Sequence, residues 1–122
     1  MTGYIGMLKD LNLTQDQIDY ATNLHTVIEF NSDVYCKGKS KINNTGIFAL
    51  KNILKKETIG LGSIDNRYKT ILGRYTNHSD NNNAMFYLLK NRDTIMVAEK
   101  DIYKGEEILI NYRDHILDEK YL

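Results

Sequence analysis

Apolar and polar positions change phase often along this chain. Residues Gln15–Leu24 place Ile18, Ala21 and Leu24 on one helical face. Thr14 and Gln17 have the spacing of a capping box, the hydroxyl capping the first turn and the glutamine reaching back. The pattern predicts a helix there. Short runs rich in β-branched and aromatic residues follow: Thr26–Phe30, Val34–Cys36, Gly46–Ala49, Thr58–Gly60, Ala84–Lys90 and Thr94–Glu99. Asn91-Arg92-Asp93 predicts a hairpin turn in which Asn and Asp tolerate left-handed geometry. Asn43-Asn44-Thr45-Gly46 and Lys104-Gly105 predict two more turns. The charged tail Arg113–Leu122 carries Ile116, Leu117 and Tyr121 at helical spacing, which predicts a short amphipathic C-terminal helix. Many short strands with frequent turns point to a mainly β domain rather than a parallel α/β sheet. No repeat or linker divides the 122 residues, so the expected plan is one domain with a helical extension (1–25), a core (26–115) and a tail (116–122).

Composition narrows the possibilities. A hydrophobic content of 42% suffices for one modest core. Sixteen basic and sixteen acidic residues cancel, which argues against the basic excess of a nucleic-acid binder. Lys37, Lys39 and Lys41 alternate beside Val34 and Tyr35 and read as the solvent face of a strand. No run approaches the roughly 18–20 apolar residues of a membrane span, and no signal-peptide pattern opens the chain. The expectation is an intracellular protein, cytoplasmic or within a host cell if viral. Cys36 is the single cysteine, so neither an internal disulfide nor a Cys-rich zinc site is available. His25 and His115 lack partners at metal-ligand spacing, and no metal is expected. The chain has no proline and is rich in Asn, Ile, Lys and Tyr, whose A/T-rich codons hint at a viral or phage source.

Three segments carry the chemistry. In order they are Asn44-Thr45-Gly46-Ile47-Phe48-Ala49, then Arg74-Tyr75-Thr76-Asn77-His78-Ser79-Asp80-Asn81-Asn82-Asn83, then Gly105-Glu106-Glu107-Ile108-Leu109-Ile110-Asn111-Tyr112. Taken singly, they are a hairpin turn, an Asx-rich loop and a strand ending in an aromatic. Together they resemble the motif set of SET-domain lysine methyltransferases: GxGxFA, RFxNHSCxPN and GEELxxxY. The resemblance implies a mainly β SET-domain (β-clip) fold with a knot-like C-terminal crossing. It implies methyl transfer from S-adenosyl-L-methionine (SAM) to a lysine ε-amine of a protein or peptide. Asn44, Thr45, Gly46, Ile47, Arg74, Asn77 and His78 would contact the cofactor, and the Tyr112 hydroxyl would sit where amine and methyl meet. Ile110 falls where some relatives place a Phe or Tyr that controls how many methyls fit, and an apolar residue there suits di- or trimethylation.

Glu106 and Glu107 look like a catalytic carboxylate pair, but adjacent strand residues face opposite ways. The resemblance gives them structural roles, with Glu107 bonding backbone or Arg74. Three departures bear on the reading. Asn44 replaces the first glycine, and Asn is the next residue most tolerant of positive φ. Asp80 and Asn82 replace Cys and Pro, which loosens the loop. Leu61–Leu72 leaves room for a turn and a strand where most relatives insert a helical wall, and no Cys-rich segment follows. The groove would be completed by the N-terminal helix, by the tail with Tyr121, or by a second subunit, since small viral-type SET proteins work as homodimers. Two other functions fit the same residues: methylation of a small amine, and a degenerate module that binds lysine or a partner without turnover.

Overall fold

The computed structural model describes residues 27–65, 67–113 and 116–122. The expected helix at Gln15–Leu24 lies outside the described residues, as do His25 and His115. The strands are β1 (Tyr35–Lys39), β2 (Thr45–Ala49), β3 (Thr58–Ile64), β4 (Tyr68–Lys69), β5 (Asn77–His78), β6 (Ala84–Leu88), β7 (Thr94–Ala98), β8 (Glu107–Ile110) and β9 (Leu117–Asp118). A short helix α1 (Ile71–Tyr75) follows β4, and a single 3-10 turn (Glu119–Tyr121) ends the chain. Two sheets result, in the orders β1-β2-β8-β5 and β4-β3-β7-β6-β9. The mainly β architecture expected from the sequence is the one observed.

Position in the sheet explains the sequence of each strand. β7 is central, and all five of its residues, Thr-Ile-Met-Val-Ala, are buried. A strand covered on both faces reads as a continuous apolar run rather than an alternation. It pairs with β6 from Ala84↔Ala98 to Leu88↔Thr94, and the predicted turn joins them. Asn91 Oδ1 accepts from the Asp93 amide at 3.0 Å. The left-handed residue, however, is Arg92 at φ 74°, not the Asn or the Asp. In β1, Tyr35 is buried while Lys37 and Lys39 are exposed, as the alternating lysines suggest.

Three local expectations change. Of the run Thr26–Phe30, the described residues 27–30 contribute a parallel bridge between Ile28 and Thr70 rather than a strand, and Ile28 anchors in the core beside Leu61 and Tyr87. The tail does not form the amphipathic α-helix read from Ile116, Leu117 and Tyr121. Instead Leu117 and Asp118 extend the sheet parallel to Tyr87 and Leu88, and Tyr121 stays 61% exposed. A helix that short has no stability without a packed face, whereas the edge of β6 offers ready backbone partners. The interval Leu61–Leu72 also holds more than a turn and a strand, since α1 begins within it. Thr70 caps α1, its hydroxyl accepting from Gly73 N while donating to the carbonyls of Leu61 and Gly62. A Cβ on Gly73 would collide with the Gly62 carbonyl oxygen, so only glycine lets α1 lie this close to β3.

The core fills the space between the sheets with Ile47, Ile59, Leu72, Met96, Ile102 and Ile108. One arrangement positions the site. β8 runs antiparallel to β2, with Ile47 opposite Ile108, and parallel to β5, with Asn77 opposite Leu109 and His78 opposite Ile110. The three motif segments, remote in sequence, are therefore adjacent strands of one sheet. No described helix is long and apolar enough to cross a membrane.

Candidate active site

A buried side chain from one motif and a half-buried one from another meet the turn of the third. Asn77 is 6% exposed. Its Nδ2 lies 3.1 Å from the Asn43 carbonyl, 3.2 Å from the Thr45 carbonyl and 3.0 Å from Glu107 Oε2. An amide nitrogen has two hydrogens, so one is shared and the group is fully engaged by the protein. Ser40 Oγ donates to the Glu107 carboxylate, 2.8 and 2.9 Å from its two oxygens. The same oxygen accepts from the amides of Ile42 at 3.0 Å and Asn43 at 3.3 Å. Serine, carboxylate and amide thus lock the turn between β1 and β2. A Cβ on Gly46 would strike Glu107 Oε2, so this glycine makes room for the carboxylate. Asn44 takes φ 36°, the left-handed conformation expected of a residue standing in for glycine.

The partners of Glu107 are Ser40 and Asn77, not Arg74. Arg74 is exposed on α1, its guanidinium 5.3 Å from the Tyr75 ring centroid. Ile47 is wholly buried, and its side chain packs in the core. Ser40 and Asn83 belong with the site although the motifs assign them no role. Asn83 Nδ2 donates to the Glu107 carbonyl at 2.9 Å, and its Oδ1 accepts from Leu109 N at 2.8 Å. This side chain clips the loop after His78 to β8. Its place at the end of the second motif was the one signal available in the sequence.

Tyr112 is held at both ends by residues 76–78. Its amide donates to His78 Nδ1 at 3.0 Å, and its hydroxyl donates to the Thr76 carbonyl at 2.6 Å. The two rings lie 5.2 Å apart at 45°. A nitrogen that accepts carries no proton, so the neutral His78 ring holds its proton on Nε2, which faces Asp80 Oδ1 at 3.3 Å. With the phenol proton committed to a carbonyl, the Tyr112 oxygen keeps its lone pairs for another donor. Beside it, Thr76 Oγ1 is buried without a partner among the described residues.

Two cavities flank these residues. The smaller, about 340 Å³, is lined by Asn44 and Thr45 with Lys37, Lys39 and Tyr75. The larger, about 570 Å³, takes its apolar lining from Met85, Phe86 and Ile110 and its polar lining from Arg67, Lys69, Arg74 and Tyr112. Both fall in the range of ligand pockets, roughly 300–1,000 Å³. The expected site residues therefore divide: Asn44 and Thr45 face one cavity, while Arg74, Ile110 and Tyr112 face the other. Arg74 and Tyr75, adjacent in sequence, belong to different cavities, so this segment serves both. Among the described residues no three His, Cys, Asp or Glu side chains gather as a metal site.

The SET-domain family model matches residues 58–113, which include Arg74, Asn77, His78, Ile110 and Tyr112. Among solved structures, a Plasmodium falciparum protein described as a histone methyltransferase is similar at 27% identity. That match covers 70% of this chain and 97% of the other, with a TM-score of 0.58. The Chaetomium thermophilum Polycomb repressive complex 2, in an autoinhibited conformation bound to SAM, shares 21% identity over 68% of this chain and 15% of its own, at a TM-score of 0.56. The methyltransferase domain of human PR domain-containing protein 2 shares 19% over 70% of this chain and 80% of its own, also at 0.56. Likenesses at these last two levels of identity speak for the fold. No curated protein sequence matches the chain. Three ordered motifs are joined in one sheet, and two of them lie within the stretch 58–113 that the SET-domain family model matches, so the chain is similar to SET-domain proteins.

Proposed function

We propose that this protein is a SAM-dependent lysine N-methyltransferase acting on a protein or peptide. The observation that carries the reading is Tyr112, pinned by Thr76 and His78, with its oxygen free to accept and its ring lining the larger cavity. The similarity to two proteins described as methyltransferases, and to a Polycomb repressive complex 2 bound to SAM, supports it.

The residues present fit the cofactor. Lys39 and the turn at Asn44–Thr45 offer a cation and backbone groups to its amino-acid end, and Tyr75 offers an aromatic face. When bound, SAM supplies a methyl made electrophilic by the attached sulfonium. The work left to the chain is to hold an amine in line and to receive it uncharged. A free lysine is neutral in only about one molecule per thousand at pH 7. Met85, Phe86 and Ile110 would desolvate the lysine stem, and the cations nearby disfavour the ammonium form. The Tyr112 oxygen accepts an N–H of the amine and so aims its lone pair. Ile110 has no hydrogen-bonding group to hold a water in place of a methyl, which suits more than one round of transfer.

Tyr112→Phe tests the assignment. It removes the accepting oxygen and keeps the ring, so turnover should fall at least about tenfold, a barrier near 1.4 kcal/mol. SAM affinity by calorimetry should change much less. Equal single-turnover rates for Phe and Tyr would reduce Tyr112 to a packing residue, and failure to bind SAM would end the reading.

A further inference from the structure

The cavity that holds Tyr112 is lined by three cations, Arg67, Lys69 and Arg74, and by no carboxylate among the described residues. None of the three is ion-paired among the described residues. Arg67 and Arg74 each lie 5.3 Å from a tyrosine ring, those of Tyr68 and Tyr75. Stacking steadies a guanidinium without neutralising it and leaves its N–H fork available. Three acids among the described residues have partners elsewhere. Asp65 faces Arg92 at 3.5 Å, Asp80 faces His78 and Arg113, and Glu107 is held by Ser40 and Asn77. The chain as a whole is neutral, so this positive lining is a local feature rather than a consequence of composition.

Building on the methyltransferase reading, we propose that the substrate lysine lies in an acidic segment, with Asp or Glu within a few residues of it. A lysine flanked by further Lys or Arg would bring like charges against three exposed cations that have no ion-pair partner among the described residues. One flanked by carboxylates gives Arg67 and Arg74 the planar partners their forks match. The Debye length, about 8 Å at physiological salt, limits the effect to substrate residues lying close to the lining. At roughly 3.3 Å per extended residue, that is two or three positions on either side of the lysine. Acidic neighbours would raise the pKa of the substrate lysine in solution. Paired with the arginines they no longer do so, and docking and deprotonation are then compatible.

The test compares peptides of equal length whose single central lysine is flanked by Asp/Glu, by Gly/Ser or by Lys/Arg. Methylation with saturating SAM is followed by mass spectrometry for the parent and for Arg67→Glu/Lys69→Glu, two exposed positions, with folding checked by thermal melting. At about 50 mM salt the acidic peptide should exceed the basic one in kcat/KM by at least about tenfold, and the preference should shrink several-fold near 500 mM. The double variant should invert the order. SAM titration of both proteins separates the failures. Methylation with equal or basic preference and normal SAM binding overturns the acidic assignment and leaves the methyltransferase reading intact. No methylation of any peptide and no SAM binding overturns both. Indifference to the peptides, with salt-sensitive binding of a single-stranded oligonucleotide, overturns it in favour of a nucleic-acid ligand.

Discussion

Asn77→Ala removes a side chain that ties the three motif segments together. In the parent its amide nitrogen satisfies the carbonyls of Asn43 and Thr45 and one oxygen of Glu107, in a site only 6% exposed. Truncation leaves two carbonyls short of a donor and the carboxylate with Ser40 alone. Each unsatisfied buried group costs about 1–3 kcal/mol. Asn43 and Asn44 are exposed, so water reaches the turn and the full sum is not incurred. A loss of about 2–4 kcal/mol in urea unfolding is expected, together with weaker SAM binding of about tenfold or more, because the loosened turn lines the smaller cavity. Asn77→Asp sharpens the test. It sets a carboxylate where Nδ2 now lies 3.0 Å from Glu107 Oε2, so its destabilisation should be larger at neutral pH and partly relieved in acid. If Asn77→Ala unfolds within about 0.5 kcal/mol of the parent and binds SAM equally, the network carries neither the turn nor the cofactor site.

Two further outcomes follow from the packing. Gly73→Ala would bring a methyl against the Gly62 carbonyl, so it should destabilise by about 2 kcal/mol or more in chemical denaturation, where an exposed helical glycine would gain up to about 1 kcal/mol; a neutral or stabilised variant would remove the close approach of α1 to β3. Asp93 accepts from Asp65 N at 2.7 Å, and burial holds its carboxyl above the ordinary 3.8. A raised folded pKa gives stability that is present below 3.8 and lost as pH climbs through the folded value. The stability of Asp93→Asn relative to the parent should therefore rise from acid toward neutral pH, and a difference that does not vary with pH would contradict a strained carboxylate.

What could be read from the sequence was whatever is local or carried by order. The β6–β7 hairpin announces itself through two β-rich runs around Asn91–Asp93, and the order of three motifs carries the resemblance to SET domains. What escaped was pairing across distance. Glu107 lies 30 residues from Asn77 and 67 from Ser40, and nothing local distinguishes these partners from Arg74. Sheet order decides the matter, because β8 lies between β2 and β5 and brings the carboxylate to the amide. The tail misled for a related reason: three apolar residues at helical spacing also suit a two-residue strand, and the edge of β6 was there to receive it. The motif side chains also do a different job from the one their types suggest. Asn77 and Glu107 spend their polar groups on each other and on the turn, and His78 spends Nδ1 on the Tyr112 backbone. Their polar chemistry goes into shape: the left-handed Asn44 turn on one side, and the aimed Tyr112 oxygen on the other. Residue types in order therefore carry the resemblance to the family, while the shape of the candidate site rests on backbone and hydroxyl groups that those residues hold in place.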